Sequence, residues 1–259
     1  MEKLDRPLIL VTNDDGITAP GIRTLIRWMN AIGDVVVMAP DSPQSGMGHA
    51  ITLHDPLRCE PQQIDAGPQK EHSCSGTPVD CVKLAVHEVL DRRPDLIVSG
   101  INHGSNASVN VIYSGTMSAA VEGAIQGIPS IGFSILDYDW QADFSQAETL
   151  VMDVVRRVLS QGLPAGICLN VNIPKVSDKP YAGLKVCRQA QAKWVESFIK
   201  RNDHMGKPYY WMAGEFNDLD GREDTDIWAL ANNYLSVVPI QFDLTAHHHL
   251  AQIHQTLDA

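Results

Sequence analysis

Short apolar runs alternate with longer amphipathic runs through the first two thirds of the chain. This pattern is typical of parallel strands joined by crossover helices, and it predicts a doubly wound α/β fold. Thr77 and Pro78 have the residue types that favour the start of a helix. The predicted strands are 8–12, 35–39, 96–99, 131–134 and 167–171. The predicted helices are 22–30, 79–90, 116–126 and 145–159.

The pattern changes from about Lys175, where aromatic residues are spread through a polar and charged sequence. This segment does not fit another regular βαβ unit. The run 209–216 predicts one arm of a hairpin, and the segment after Thr245 predicts a terminal helix that needs a surface to pack on. We therefore expect residues 1–174 to form the main core and residues 175–259 to form a C-terminal extension. The aromatic content of the extension predicts self-association.

Composition narrows the classes of function. The chain has 259 residues, of which 44% are hydrophobic, so it can bury one large core. Its formal net charge of -11 argues against a nucleic-acid binder, so we expect no duplex as a partner. The apolar run within residues 1–10 is too short for a signal peptide or a membrane span, so we expect a cytoplasmic protein without a membrane partner. The five cysteines form no C-x-x-C pair, which favours reduced thiols.

Two adjacent carboxylates follow the first predicted strand. Asp14 and Asp15 stand at its carboxyl end, where open parallel sheets bind their ligands, and Gly16 allows a sharp turn after them. Neighbouring like charges repel, and a bound cation would relieve that repulsion. Hard oxygen ligands favour magnesium, manganese or calcium over zinc. An equally plausible reading of the residues alone is a turn in which the aspartates only cap the next helix.

Polar residues also follow the second and third strands. Ser45 lies in a glycine-bearing loop, and its hydroxyl could enter the same ligand shell, although such a serine commonly marks only a turn. Asn102 and Asn106 lie in a loop after 96–99 that offers amide oxygens and backbone nitrogens. Such a loop suits a metal bound through one amide and phosphate oxygens bound through others. An ordinary Asn-Gly turn is the alternative.

A further loop leads into the helix predicted at 116–126. Ser114, Gly115 and Thr116 combine hydroxyls, a glycine and a helix N-terminus, which together can bind phosphate. Simple helix capping explains the same residues. Four such loops at one sheet edge nevertheless favour a site for a metal and a phosphate.

These residues fall within longer motifs: L-I-L-V-T-N-D-D-G at 8–16, A-P-D-S-P-Q-S-G at 39–46, S-G-T-P-V-D at 75–80, S-G-I-N-H-G-S-N at 99–106, Y-S-G-T-M-S-A-A-V-E-G at 113–123, and the stretch 224–245. Together they resemble the SurE family, the survival-protein nucleotidases that remove phosphate from nucleoside 5′- and 3′-monophosphates. The match is loose only in 137–186 and in the final helix.

The resemblance implies a Rossmann-like core, with a C-terminal extension that exchanges between the subunits of a homodimer or homotetramer. It also implies one divalent cation per subunit, Mg²⁺ or Mn²⁺. By position in the motifs, the metal ligands fall on Asp14, Asp15, Ser45 and Asn102. One departure is Asn233 before Tyr234, where the family commonly has glycine, and this affects the extension rather than the metal site.

The implied activity is a metal-dependent phosphomonoesterase acting on nucleoside 5′- and 3′-monophosphates, with short polyphosphate as a further candidate substrate. Asp14, Asp15 and Asn102 would carry catalysis. The groups expected to hold the phosphate oxygens are Asn106, Ser114 and the amides near Gly115 and Thr116. No general base stands out, and His49 and His103 are expected to be solvated loop histidines.

Two other classes of protein fit the sequence less well. A magnesium-binding receiver domain also has an acidic pair after its first strand, but it needs a phosphoacceptor aspartate at the end of the central strand. Here Asp95 precedes 96–99 instead. A dinucleotide-dependent oxidoreductase fits less well, because the glycines in 46–48 lack a third glycine and do not lie between the first strand and its helix.

Overall fold

The computed structural model describes residues 6–258 and contains a large mixed sheet, a separate hairpin and helices on both faces of the sheet. The strands are β1 Leu8–Thr12, β2 Asp34–Pro40, β3 Cys59–Gln62, β4 Lys70–Cys74, β5 Leu96–His103, β6 Ser130–Ile135, β7 Ile167–Ile173, β8 Gly183–Val186, β9 Ala192–Asn202, β10 Pro208–Asp218 and β11 Tyr234–Gln241. The helices are α1 Pro20–Asn30, α2 Pro78–Leu84, α3 Gly115–Ile125, α4 Glu148–Gln161, α5 Asp226–Ala231 and α6 Leu250–Leu257.

Within the described residues the main sheet has nine strands in the order β3-β4-β2-β1-β5-β6-β7-β11-β8. The six strands from β4 to β7 are parallel, whereas β3 and β11 each run antiparallel to their neighbour in that block. The order of strands reverses between β1 and β5, which is the switch point where such sheets bind ligands. The predicted doubly wound α/β fold is confirmed.

Alternate residues of β1 point into two different cores. Ile9 and Val11 pack on the face covered by α1 and α4, whereas Leu10 packs on the face covered by α2 and α3. This period of two is the expected geometry of a strand buried on both faces. The central strands are therefore fixed between two helical layers, and their carboxyl ends are held in place.

Two predicted elements differ from the structure. The helix predicted at 79–90 is α-helical only over Pro78–Leu84, and a π-helical turn continues it over Ala85–Val89. The strand predicted at 96–99 extends to His103, past a shift in register between Ser99 and Asn102. This extension places residues that were predicted to lie in a loop at the end of the central strand.

The C-terminal segment is divided between the sheet and exposed structure. β8 and β11 join the main sheet, so the sheet continues beyond the boundary expected at residue 174. β9 and β10 form the hairpin that the run 209–216 predicted. No residue of α6 is buried by the chain described here, so the surface that the predicted terminal helix needs is not supplied. None of the helices in residues 6–258 combines the length and the hydropathy that a membrane span requires.

Candidate active site

A cleft of about 280 Å³ lies at the carboxyl ends of β1 and β5. Five of the predicted site residues line it: Asp14, Ser45, Asn102, Asn106 and Ser114. A larger hollow of about 390 Å³ is lined by Leu8, Asp34, Arg92 and their neighbours, and it contains none of the predicted site residues. The structure thus brings five of the predicted site residues together in this cleft.

Asp14 is the most buried carboxylate of the cleft, with 3% of its surface exposed. The hydroxyl of Thr116 donates to its Oδ1 atom. Gly115 makes this approach possible, because a Cβ atom there would lie 2.7 Å from the Asp14 Cβ. The pKa of Asp14 is raised to about 6, chiefly by burial and in addition by the charge of Asp15, while the hydrogen bond from Thr116 opposes the rise. The ionised form of Asp14 is therefore disfavoured unless a positive charge lies beside it.

Asp15 is held by His103. Its Oδ2 atom lies 3.3 Å from the His103 backbone nitrogen and 3.2 Å from His103 Nδ1. The prediction that His103 is solvated is wrong, because only 6% of its side chain is exposed. The extension of β5 carries it under Trp140 and Phe144. His49 does lie in a loop, but it also contacts the buried Glu122, with its Nε2 atom 3.2 Å from Oε2.

The end of β5 is shaped by Gly100. This residue has φ of +123°, and a Cβ atom there would lie 2.3 Å from the Phe133 carbonyl oxygen. The register shift that follows turns Asn102 toward the cleft. The Asn102 Nδ2 atom donates to the Gly104 carbonyl at 2.9 Å, which leaves its Oδ1 atom available as a ligand. A receiver domain would need aspartate here, so the structure does not favour that alternative.

A buried network of amides fixes Asn106. Its backbone nitrogen donates to Asn172 Oδ1 at 2.8 Å, and its carbonyl accepts from Asn170 Nδ2 at 2.8 Å. Its own Nδ2 atom donates to Ser134 Oγ at 2.7 Å. Sequence reasoning missed the two asparagines of β7, although polar residues at alternate positions of a buried strand were a usable signal. The network holds one wall of the cleft rigid.

Ser114 caps α3, since its hydroxyl oxygen accepts from the Met117 backbone nitrogen at 3.0 Å. The hydroxyl has no acceptor in the described part of the chain, so its proton can be donated to a ligand in the cleft. Thr116 is fully buried and its hydroxyl is used by Asp14, so only its backbone could contact a phosphate. Capping and phosphate binding are therefore compatible at Ser114, whereas the Thr116 side chain has a supporting role.

The cleft offers hard oxygen donors for a cation. Asp14 supplies a carboxylate, Ser45 a hydroxyl and Asn102 an amide oxygen. Asp15 does not line the cleft itself but adds a second carboxylate next to Asp14 in the chain, and this set fits magnesium or manganese. Among residues 6–258, no Lys or Arg forms an ion pair with either aspartate. The same residues contain no group of three or more His, Cys, Asp or Glu that could hold a metal. A cation here would therefore depend on two carboxylates and on neutral oxygens.

Comparison with known proteins agrees with this geometry. Residues 9–196 match the sequence model of the family described as Survival protein SurE. The chain is 61% identical over 251 residues, or 97% of both chains, to the 5′-nucleotidase SurE of Flavobacterium johnsoniae. It is 57% identical over 253 residues, again 97% of both, to the 5′-nucleotidase SurE of Cytophaga hutchinsonii.

A solved structure is similar along the whole chain. The crystal structure of the SurE protein from Aquifex aeolicus is 40% identical, with a TM-score of 0.83, and the match covers 98% of this chain and 100% of that one. This similarity includes the segments that follow residue 196, beyond the family match. The chain therefore belongs to the SurE family.

Proposed function

We propose that this chain is a phosphomonoesterase that hydrolyses nucleoside 5′-monophosphates with the help of a divalent cation. The observation that carries the proposal is a single cleft that brings the buried carboxylate of Asp14 together with the N-terminus of α3 and with the fixed Asn106. Relatives at 57% to 61% identity are named 5′-nucleotidases, which supports the substrate class.

One cation, Mg²⁺ or Mn²⁺, would be held by Asp14, Asp15, Ser45 and Asn102. When bound, it supplies positive charge that draws a phosphate oxygen toward two carboxylates that would otherwise repel it. The protein contributes the geometry. Thr116 fixes one oxygen of Asp14, and His103 fixes one oxygen of Asp15, so each carboxylate keeps another oxygen for the ligand.

The remaining groups would bind and orient the phosphate. Ser114 donates its hydroxyl proton, and the first turn of α3 presents peptide N–H groups to the negative charge. Asn106 lies across the cleft, held by its amide network. A water molecule attacks the phosphorus in line with the ester oxygen, the P–O bond to the nucleoside breaks, and one proton of the water ends on the leaving oxygen, so that nucleoside and inorganic phosphate are formed. The fixed donors stabilise the charge on the equatorial oxygens.

The finer parts of the proposal concern substrate range and assembly. Nucleoside 3′-monophosphates and short polyphosphate are further substrates, since the cleft recognises a terminal phosphate and is open to solvent beyond it. The chain acts as a homodimer or homotetramer, and the part of 175–259 outside the sheet exchanges between subunits. The exposed apolar side chains of the hairpin and of α6 support this assembly.

Phosphate release from a panel of the four 5′- and four 3′-ribonucleotides tests the proposed function. We expect turnover of AMP with Mn²⁺ or Mg²⁺ and its loss in a chelator, with recovery when the ion is restored. Hydrolysis that is equally fast in the chelator would remove the cation from the mechanism. Stoichiometric uptake of phosphate from acetyl phosphate, without turnover of nucleotides, would instead support the receiver class.

A further inference from the structure

We propose that His103 is a positioning residue that orients the Asp15 carboxylate for the cation. The inference rests on the proposed metal site, and it adds a function to a residue that the motifs leave without one. His103 acts through Asp15, by holding one carboxylate oxygen so that the other is left for the cation.

Two donors from one residue converge on one oxygen. The backbone nitrogen and the ring Nδ1 of His103 both lie within 3.3 Å of Asp15 Oδ2. An ionised carboxylate only accepts hydrogen bonds, so the ring proton belongs on Nδ1. With Oδ2 used in this way, Oδ1 makes no hydrogen bond within residues 6–258 and remains for a ligand. Partners of this kind around metal ligands fix the orientation of the ligand.

The imidazole ring is itself held in place. Trp140 stacks on it with ring centroids 5.3 Å apart and planes 22° apart, and Phe144 meets it edge-on at 5.6 Å. The Nε2 atom is buried and has no hydrogen-bond partner among the described residues. A nitrogen without access to solvent or to a partner is poorly placed to carry a proton to substrate. The polar function of the ring therefore lies at Nδ1.

Two substitutions distinguish the effect of the Nδ1 hydrogen-bond donor of His103 from the effect of its ring packing. His103→Phe keeps an aromatic ring for Trp140 to stack on but removes the Nδ1 donor. His103→Asn places an amide nitrogen close to the position of Nδ1 and removes most of the ring. A positioning role predicts that the asparagine variant is the better enzyme, whereas a packing role predicts that the phenylalanine variant is.

The primary measurement is calorimetric titration of the metal-free protein with Mn²⁺, without substrate. We expect His103→Phe to raise the dissociation constant about 10-fold or more, and His103→Asn to stay within about threefold of wild type. The kcat for AMP should fall in the same order, with a smaller change in KM. His87→Phe, at an exposed histidine far from the cleft, is the matched control and should leave the affinity unchanged. If His103→Phe does not fold by circular dichroism, His103→Leu replaces it as the variant without a donor.

The outcomes are distinct. Equal Mn²⁺ affinity in wild type and in the variant without a donor would overturn the role of His103 and leave the proposed function intact. The role of His103 would also be overturned, and the proposed function left intact, if His103→Asn loses as much Mn²⁺ affinity as the variant without a donor. A wild-type chain that neither binds Mn²⁺ nor hydrolyses AMP would overturn the proposed function, and the role of His103 with it.

Discussion

The cleft and the hairpin use polar and apolar side chains in opposite ways. At the cleft, polar side chains are buried and have partners within the chain, as Asp14 and Asn106 show. On the hairpin, large apolar side chains are exposed, with Phe198 at 65% and its cross-strand neighbour Met212 at 73%. Contacts within one chain therefore fix the geometry of the cleft, but they leave the apolar side chains of the hairpin exposed.

The two regions meet at the base of the hairpin. The Trp194 Nε1 atom donates to Asn110 Oδ1 at 2.8 Å, and the Ser108 hydroxyl donates to the Ala190 carbonyl at 2.8 Å. Beyond this base the hairpin is a two-stranded ribbon, which is marginally stable alone in water. Its outer part needs further contacts, whereas its base is anchored beside the cleft. Substitutions in the two regions should thus affect different properties.

The largest expected effect is that of Asp15→Asn at the cleft. The substitution removes one of two neighbouring charges, and the Asp15 charge contributes to the raised pKa of the buried Asp14. We expect kcat/KM for AMP to fall about 10²- to 10³-fold, the size of effect that follows loss of one preorganised electrostatic group. The metal-free protein should keep or gain stability, because the repulsion between the carboxylates is relieved.

Thermal melts with and without Mn²⁺, beside phosphate release, measure both properties. Asp91→Asn is the matched control, since it removes an exposed carboxylate far from the cleft. It should leave activity and the Mn²⁺-induced rise in melting temperature unchanged. If Asp15→Asn also leaves activity and the Mn²⁺-induced rise in melting temperature unchanged, Asp15 is only a turn residue. Metal chemistry at Asp15 would then not distinguish the cleft from the hairpin.

The hairpin should respond to Phe198→Glu, which places a charge on its exposed apolar face. If this face is covered by another subunit, the loss of one buried aromatic contact of about 1.5–3 kcal/mol weakens self-association roughly 10- to 100-fold. Light scattering over a range of concentrations measures this change. His204→Glu, in the turn of the hairpin, adds the same charge and should leave the mass unchanged. A wild-type chain that stays monomeric at micromolar concentration would contradict the proposed assembly.

The comparison also shows which parts of the structure could be predicted. Central strands such as β1 were predictable because burial on both faces leaves an unbroken apolar run. That Asp14 and Asn102 lie in one cleft was predictable from one rule, that the loops after parallel strands meet at the same edge of the sheet. Both predictions depend on local sequence and on a fold-wide regularity, and neither requires knowledge of side-chain contacts.

Other features depend on contacts that the local sequence does not encode. The burial of His103 results from a register shift in β5 and from Trp140, a residue far away in the chain. The strand β8 is short, and within residues 6–258 its one neighbour in the sheet is β11, which follows it by about fifty residues. Neither the length nor the composition of β8 distinguishes this strand from a loop. Such elements are fixed by tertiary pairing, and periodicity alone therefore missed them.

A smaller effect is expected for Ser114→Ala, which should raise the KM for AMP about 5- to 30-fold while leaving Mn²⁺ affinity nearly unchanged. Loss of one hydrogen bond to phosphate corresponds to about 1–2 kcal/mol. The same hydroxyl caps α3, so a stability loss of about 1 kcal/mol should accompany it. Thr225→Ala, which removes the cap of α5, is the control that loses stability without a change in KM. Unchanged kinetics in Ser114→Ala would restrict Ser114 to capping.

The smallest expected effect lies at the other end of α3, where Glu122 shows how a buried charge is satisfied within one chain. Burial alone would raise its pKa, but hydrogen bonds from His49, Gln126 and Lys83 outweigh burial and lower it to about 2. Because the folded pKa lies below the unfolded value of 4.5, the ionised group stabilises the fold above about pH 4.5. That contribution is lost as the pH falls from 4.5 toward 2.

Glu122→Gln isolates this contribution. His49 and Lys83 are partly exposed, so solvent screening reduces the expected loss at pH 7 to about 1–2 kcal/mol in the free energy of unfolding. Urea unfolding of wild type and variant at a series of pH values measures the difference. The difference should be largest near pH 7 and should shrink steadily below pH 4.5, because the carboxyl of the unfolded wild-type chain then takes up a proton while the folded one stays ionised, and this favours unfolding of the wild type. A difference that stays constant down to pH 3 would show that Glu122 contributes through packing rather than charge. Glu122 has Lys83 as a cationic partner, whereas Asp14 has none among the described residues. A constant difference would show that this partner does not stabilise the fold through charge, and the two buried carboxylates would then no longer differ in that respect.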